Sequence, residues 1–157
     1  REPWHFQATT EIIKKWWKLR YTLIPYIIAQ SRKAISSGAP LLQALIFHHP
    51  EDKLCWHIDD EYYFGNDFLV APVMNSENRR DVYLPEGQWV NFFTGEVLEG
   101  GRWLKDLDVP LDEMPVYVRQ GATIPVYPDE VECTDEMDLS KSVELHIDNH
   151  FKGIFKD

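Results

Sequence analysis

Three consecutive acids, Asp59, Asp60 and Glu61, are the densest cluster of groups in this chain able to move protons. Cleaving a bond between sugars needs two carboxylates facing each other across it, roughly 5 to 9.5 Å apart. Adjacent residues rarely face one another in that way, and acids ahead of an aromatic segment more often cap a short helix. A structural role is the expectation for all three. His48 and His49 form the second candidate site. They directly follow a run that reads as a buried strand, and side chains at the C-terminal end of a barrel strand line an active site. A rim position in substrate binding is therefore their functional reading. Two adjacent histidines on an extended chain point in opposite directions, and no Cys or Glu stands at ligand spacing, so no metal site is expected.

The remaining candidates read as structure. His5, His57, His146 and His150 have no partner pattern, and Cys55 and Cys133 stand at no metal or redox spacing, so both thiols read as reduced and structural. No serine sits in a G-x-S-x-G elbow, and no glycine loop has phosphate-binding spacing. Trp89, Trp103, Phe92 and Phe93 would suit a sugar-stacking face, but aromatics alternating along core strands are more often core. No catalytic residue, metal or cofactor is assigned.

The elements that must position these groups change character within residues 56–73, WHIDDEYYFGNDFLVAPV. Before this stretch, Thr9 or Thr10 can cap a helix, with Glu11 complementing its dipole. Ile12, Trp16, Leu19, Leu23 and Ile27 form one helical row, and Ile13, Trp17, Ile24 and Ile28 a second beside it. Pro25 should kink this single long helix, and Gly38 should end it. LLQALIF (41–47) reads as a strand covered on both faces, as in a parallel sheet. Helix, glycine and buried strand make half of an α/β repeat. Leaving five large apolar helix residues wet would cost on the order of 10 kcal/mol, so the helix needs a partner surface, either on the C-terminal half or in sequence outside the chain, and Trp16 and Trp17 are expected to pack against the latter.

From Phe68 onward, short strands alternate with turns: 68–73, 80–84, 89–93, 96–98, 103–109, 116–118 and 122–126. Pro85-Glu86-Gly87 and Thr94-Gly95 mark turns, and Gly100-Gly101 is expected to supply the positive φ of a tight hairpin. This is the signature of an antiparallel sandwich or barrel. An acidic stretch (129–138) precedes a half-buried strand at 143–147, with Val143, Leu145 and Ile147 on one side.

Composition narrows the classes of function. A chain of 157 residues with 44% hydrophobic content, 6 Trp, 7 Tyr and 8 Phe can bury a sizeable core. A net charge of −10 offers no electrostatic gain against nucleic acid or an anionic membrane, and no run approaches the roughly 18 apolar residues of a spanning helix. The chain opens at Arg1 without an initiator Met, shows no signal peptide, and stops at Asp157 without a closing element. It is expected to be a piece of a longer protein.

Four stretches in order resemble glycoside hydrolase family 31, the α-glucosidase and α-xylosidase group. They are LRYTLIPYI (19–27), IDDEYYFGNDFLVAPV (58–73), RRDVYLPEGQWVNFFTGE (79–96) and PLDEMPVYVRQGATIP (110–125). The resemblance implies a (β/α)8 catalytic barrel, then a proximal β-sandwich, then a distal β-domain. On that plan residues 1–57 are the end of the barrel, 58–128 the proximal sandwich, and 129–157 a linker and the start of the distal domain. The family's aspartate nucleophile, in a W-x-D-M-N-E-like motif, and its aspartate acid/base both lie upstream of such a segment. Its sugar-binding histidine also precedes the Arg1-Glu2-Pro3-Trp4 segment. Trp56-His57-Ile58-Asp59 has the wrong spacing for the nucleophile motif, so no catalytic residue carries over. One departure is Gln43, where many members have arginine in an R-P-L-like strand.

The expected function is thus the C-terminal part of a retaining α-glycosidase acting on α-linked glucosides or xylosides, supporting the barrel rather than performing the chemistry. The parent's partner is an oligosaccharide or α-glycoside substrate, with no cofactor. The alternative is a non-catalytic carbohydrate-binding or assembly module, which an exposed aromatic platform would favour and a buried Trp89 and Trp103 would oppose.

Overall fold

The computed structural model describes residues 6–154, so His5 and the Pro3-Trp4 pair lie outside it. The helical pattern forms two helices, α1 (Thr10–Thr22) and α2 (Ile24–Ser37), where one kinked helix was expected. Leu23, at φ −88° and ψ 2°, is the break between them. Pro25 therefore sits in the first turn of α2, where a missing N–H leaves no bond unmade. Thr22, at the end of α1, gives its carbonyl oxygen to the Tyr127 N–H at 2.8 Å. Thr9 precedes α1, but its hydroxyl and that of Thr10 donate backwards to the Phe6 carbonyl at 3.1 and 3.2 Å, so neither caps a helix N–H. Gly38 ends α2 as expected, its N–H donating to Ala34 O.

The strands after α2 are β1 (Leu42–Ala44), β2 (Tyr62–Phe64), β3 (Phe68–Val70), β4 (Arg79–Leu84) and β5 (Gln88–Asn91). They continue with β6 (Val97–Glu99), β7 (Arg102–Asp108), β8 (Val116–Arg119), β9 (Thr123–Val126) and β10 (Val143–His146). A six-stranded sheet runs β1-β2-β3-β8-β5-β6, and two ribbons, β4–β7 and β9–β10, accompany it. Among the described residues every strand pairing is antiparallel.

The buried parallel strand expected at 41–47 is corrected. Only three residues are extended, they pair antiparallel with β2 at the sheet edge, and Leu45–Phe47 turns into a 3-10 helix. The run is apolar for a different reason: Leu45 is buried in the core, while Leu42 and Phe47 remain exposed. A barrel strand is therefore not what this stretch forms among the described residues.

Two cores lie on the two faces of the central sheet. On one face Phe68, Val70, Val90, Val116 and Val118 meet Leu19, Leu23 and Tyr26 of the helices, and this core extends to Ile124, Ile147 and Phe151. On the other, Tyr63, Leu69, Trp89 and Tyr117 meet Val82 and Leu84 of the β4–β7 ribbon. Strand alternation produces this division, since Leu69 and Tyr117 stand opposite each other and point away from their neighbours Val70 and Val116. Trp16 is half-buried against the first core, its ring edge-on to Phe93 at 5.7 Å. Trp17 is 49% exposed.

Close approach requires glycine at several positions, Gly65 and Gly100 among them. A Cβ on Gly65 (φ +64°) would lie 2.3 Å from the Tyr26 hydroxyl. In the 100–101 pair only Gly101 has the expected positive φ. A Cβ on Gly100 would lie 1.9 Å from the Pro85 carbonyl oxygen, so that position is glycine for lack of space.

Candidate functional site

His48 and His49 close the 3-10 turn after β1, both backbone N–H groups donating to Leu45 O at 3.1 and 3.0 Å. The chain is not extended there, so the rings do not diverge as an extended backbone would make them: both lie against Tyr63 of β2. The His48 ring centroid is 4.1 Å from that of Tyr63, and His49 Nε2 is 2.7 Å from its hydroxyl. Arg119, the last residue of β8, donates Nη2 to the same hydroxyl at 3.0 Å, with its guanidinium carbon 5.2 Å from the Tyr63 ring and 5.3 Å from Trp89. An arginine only donates, so the tyrosine oxygen accepts from Arg119 and its O–H is left to donate to His49 Nε2.

Burial, then the Arg119 charge, pushes His48 down to about 4 and moves His49 in the same direction, although Asp52 and Glu51 oppose the shift at His49. Both imidazoles are neutral near pH 7. His48 Nε2 is buried without a hydrogen-bond partner. Beside the pair lies an open cavity of about 540 Å³, lined also by Glu51, Asp52, Tyr83 and Glu86. Asp52 caps the 3-10 turn Lys53–Trp56 by accepting from Leu54 N at 3.0 Å, and it accepts the Tyr83 hydroxyl as well. Neutral imidazoles beside carboxylates can exchange hydrogen bonds with a polyhydroxylated ligand. Among the described residues no group of three or more His, Cys, Asp or Glu is placed to hold a metal ion.

The acidic triplet is split by the fold. Asp59 is exposed. Asp60 grips Arg80 of β4 through both its carboxylate and its carbonyl oxygen, and that contact holds its carboxyl below the usual range. Glu61 is buried, and its Oε1 accepts the Tyr83 N–H at 2.8 Å. Asp60 and Glu61 tie the segment entering β2 to β4, and none of the three caps a helix; the capping expected of them belongs to Asp52.

The aromatic candidates are core or part of it. Trp89 is 1% exposed with its indole N–H on Pro85 O, and Phe92 is fully buried. Trp103 and Phe93 are half-buried, with Trp103 packed on Tyr83 and covered by Lys105. Cys55 is buried and free, and Cys133 is exposed and free. Of the other histidines, His146 Nδ1 is 3.2 Å from the Thr123 hydroxyl.

Sequence reasoning missed Tyr63, Arg119, Asp52 and Tyr83. Strand parity carries a signal for two of them. Tyr63 pairs with Leu69, and Leu69 with Tyr117, so Tyr63 shares the ribbon face with Tyr117 and, two residues on, Arg119.

Residues 38–124 match the family model described as the glycosyl hydrolase family 31 C-terminal domain. The chain is 35% identical over 157 residues to an α-glucosidase of Bacillus thermoamyloliquefaciens, aligning 99% of itself with 20% of that protein. It is 37% identical over 139 residues to an α-xylosidase of Saccharolobus solfataricus, covering 87% of itself and 19% of the relative. Among solved structures, a Flavobacterium johnsoniae family 31 dextranase complexed with isomaltotriose superposes with a TM-score of 0.81 at 35% identity, over 86% of this chain and 17% of that one. The chain thus spans about a fifth of the length of these relatives.

Proposed function

Because the chain belongs to glycoside hydrolase family 31, we propose that it is the C-terminal supporting part of a retaining α-glycosidase acting on α-linked glucosides or xylosides. In such a parent, hydrolysis proceeds by double displacement between two carboxylates. The observation that carries the supporting role is the commitment of the acids. Asp60 is held by Arg80, Glu61 by Tyr83 N–H, Asp52 by Leu54 N–H and the Tyr83 hydroxyl, and Asp67 by Gln30 Nε2 at 3.4 Å. Each holds the fold together instead of standing ready to protonate or attack a glycosidic bond.

Within residues 1–57, α1 and α2 are the part that closes the upstream barrel, whereas β1 joins the sandwich sheet by pairing. The bulk of that sandwich is 58–128, and the 129–157 segment leads toward a distal domain while β10 pairs with β9. The exposed Trp17, Ile35 and Trp56 are apolar surface suited to barrel contact. His48 and His49 take the rim position, supported by the cavity beside them. Against a sugar-binding module stands Trp89, whose ring is core and offers no platform.

The test is hydrolysis of aryl α-glucoside and α-xyloside by the 157-residue chain alongside the full-length parent. Turnover by the parent alone is the expected result. Turnover by the short chain overturns the supporting role and makes Asp59, Asp60, Glu61, His48 and His49 the residues to replace.

A further inference from the structure

Glu61 directly precedes β2, yet its side chain reaches β4, and the residue is only 3% exposed. Its Oε1 is occupied by the Tyr83 N–H, but Oε2 is buried with no hydrogen-bond partner. The nearest cation, Arg80, holds Nη2 3.8 Å from Glu61 Oε1, beyond hydrogen-bonding distance. Its closer donors are turned to Asp60: Nη1 to Oδ2 and Nη2 to the carbonyl oxygen at 2.8 Å. Arg80 Nε is buried and unpartnered as well. One cation is therefore already paired with one carboxylate, the exposed Asp60, and ionising Glu61 adds a second negative charge that is itself buried, with no donor turned to its free oxygen.

We propose that Glu61, with Arg80 and Asp60, is a proton-operated latch between the segment entering β2 and strand β4, closed while Oε2 carries a proton and loosened when that proton leaves.

The neighbouring groups leave Glu61 as the one that switches. Burial, helped by the Asp60 charge, pushes it up to about 7, against the opposing pull of Tyr83 N–H and Arg80. Asp60 is held low by Arg80, and Arg80 is raised by Asp60, so both stay charged. The Cys55 thiol is pushed up to about 12 and the hydroxyls of Tyr63, Tyr83 and Tyr117 also move upward, so these stay neutral. A carboxyl raised in the folded state contributes stability that is fully present below its ordinary value of 4.5 and is lost as pH rises to about 7. The β2–β4 connection is thus tighter in mild acid than in alkali.

Hydrogen exchange read by mass spectrometry on the full-length parent tests this, comparing wild type with Glu61→Gln at pH 5 and pH 8. Glutamine keeps the acceptor for Tyr83 N–H and places an uncharged donor where the protonated oxygen stood. Taking the ratio of wild-type to variant opening constants at each pH, for peptides within 58–84, cancels the intrinsic pH dependence of exchange and the titration of His48 and His49. That ratio rises about 30- to 100-fold from pH 5 to pH 8 if the latch exists, less than tenfold for each unit separating the folded and ordinary values because part of the change is complete by pH 5. A ratio that stays constant, or falls, overturns it. Should the variant fail to fold, infrared difference spectra of the wild-type parent decide. A buried protonated carboxyl band present at pH 5, lost by pH 8 and moved by Glu61→Asp supports the latch, and its absence at pH 5, or a band that Glu61→Asp leaves unmoved, rules it out.

Discussion

The two faces of the central sheet are held by different physics. The face under the helices is a core of Phe68, Val70, Val90, Phe92, Val116 and Val118, where aromatic rings meet edge-on, Tyr26 on Phe68 and Phe68 on Phe92, both at 5.0 Å. Its main polar anchor is Tyr26, which donates to the Phe64 carbonyl at 3.0 Å and lies 3.1 Å from Asp67 Oδ2. The face under the β4–β7 ribbon mixes Trp89, Leu69 and Val82 with Tyr63, Arg119, Glu61, Arg80 and two histidines. Apolar packing is indifferent to pH and loses stability in proportion to the volume removed. A buried polar network loses it when a proton or a partner is taken away. The first face should therefore supply stability, and the second should make that stability respond to conditions.

Breaking the apolar face has the largest expected effect. Phe68→Ala removes a ring packed between Tyr26 and Phe92 and should cost about 3–5 kcal/mol in guanidinium unfolding of the 157-residue chain, equally at pH 5 and pH 8. A loss that differed between the two pH values would blur the distinction.

Next comes acid sensitivity on the polar face. A histidine lowered to about 4 in the fold contributes stability present above its ordinary 6.5 and lost as pH falls toward 4. Glu61 changes stability in the opposite direction over this range, so the effect is read in a Glu61→Gln background. There, stability should fall by about 1–3 kcal/mol between pH 7 and pH 4, and adding His48→Asn should remove most of that fall. An unchanged fall in the double variant would clear His48.

The smallest effect sharpens the comparison at the cavity. His49→Phe leaves the Tyr63 hydroxyl with Arg119 as its remaining partner and should cost about 1 kcal/mol. In the full-length parent the same change should raise KM severalfold with kcat kept, as loss of a binding contact does. An unaltered KM would remove His49 from the rim.

Much of the all-β half was legible from residue order. Turn residues marked the strand ends, and two-residue alternation sorted Leu145 from His146, because side-chain direction in a strand is fixed by parity. The helical rows were legible for the same reason of period, and Gly38 stopped α2 where expected. The run 41–47 was misread because continuous apolar sequence has no period. Burial on both faces of a parallel strand and a short edge strand followed by a turn produce the same letters, and only pairing with β2 distinguishes them. The capping expected of the acidic triplet failed similarly: an acid before an aromatic segment suits a cap or a cross-sheet anchor, and the local sequence is equal for both.

What the sequence determined by itself was family membership, the turn positions and which side chains could share a face. Those follow from residue type and from the fixed geometry of each element. What only the tertiary structure decided was partnership. Arg80 is 20 positions from Asp60, and Tyr63 is 56 positions from Arg119. Such pairs form when the sheet brings distant strands side by side, and no local period records that distance. The charge state of Glu61 was decided in the same way, since it depends on how much water the folded ribbon excludes and on whether Arg80 is already engaged.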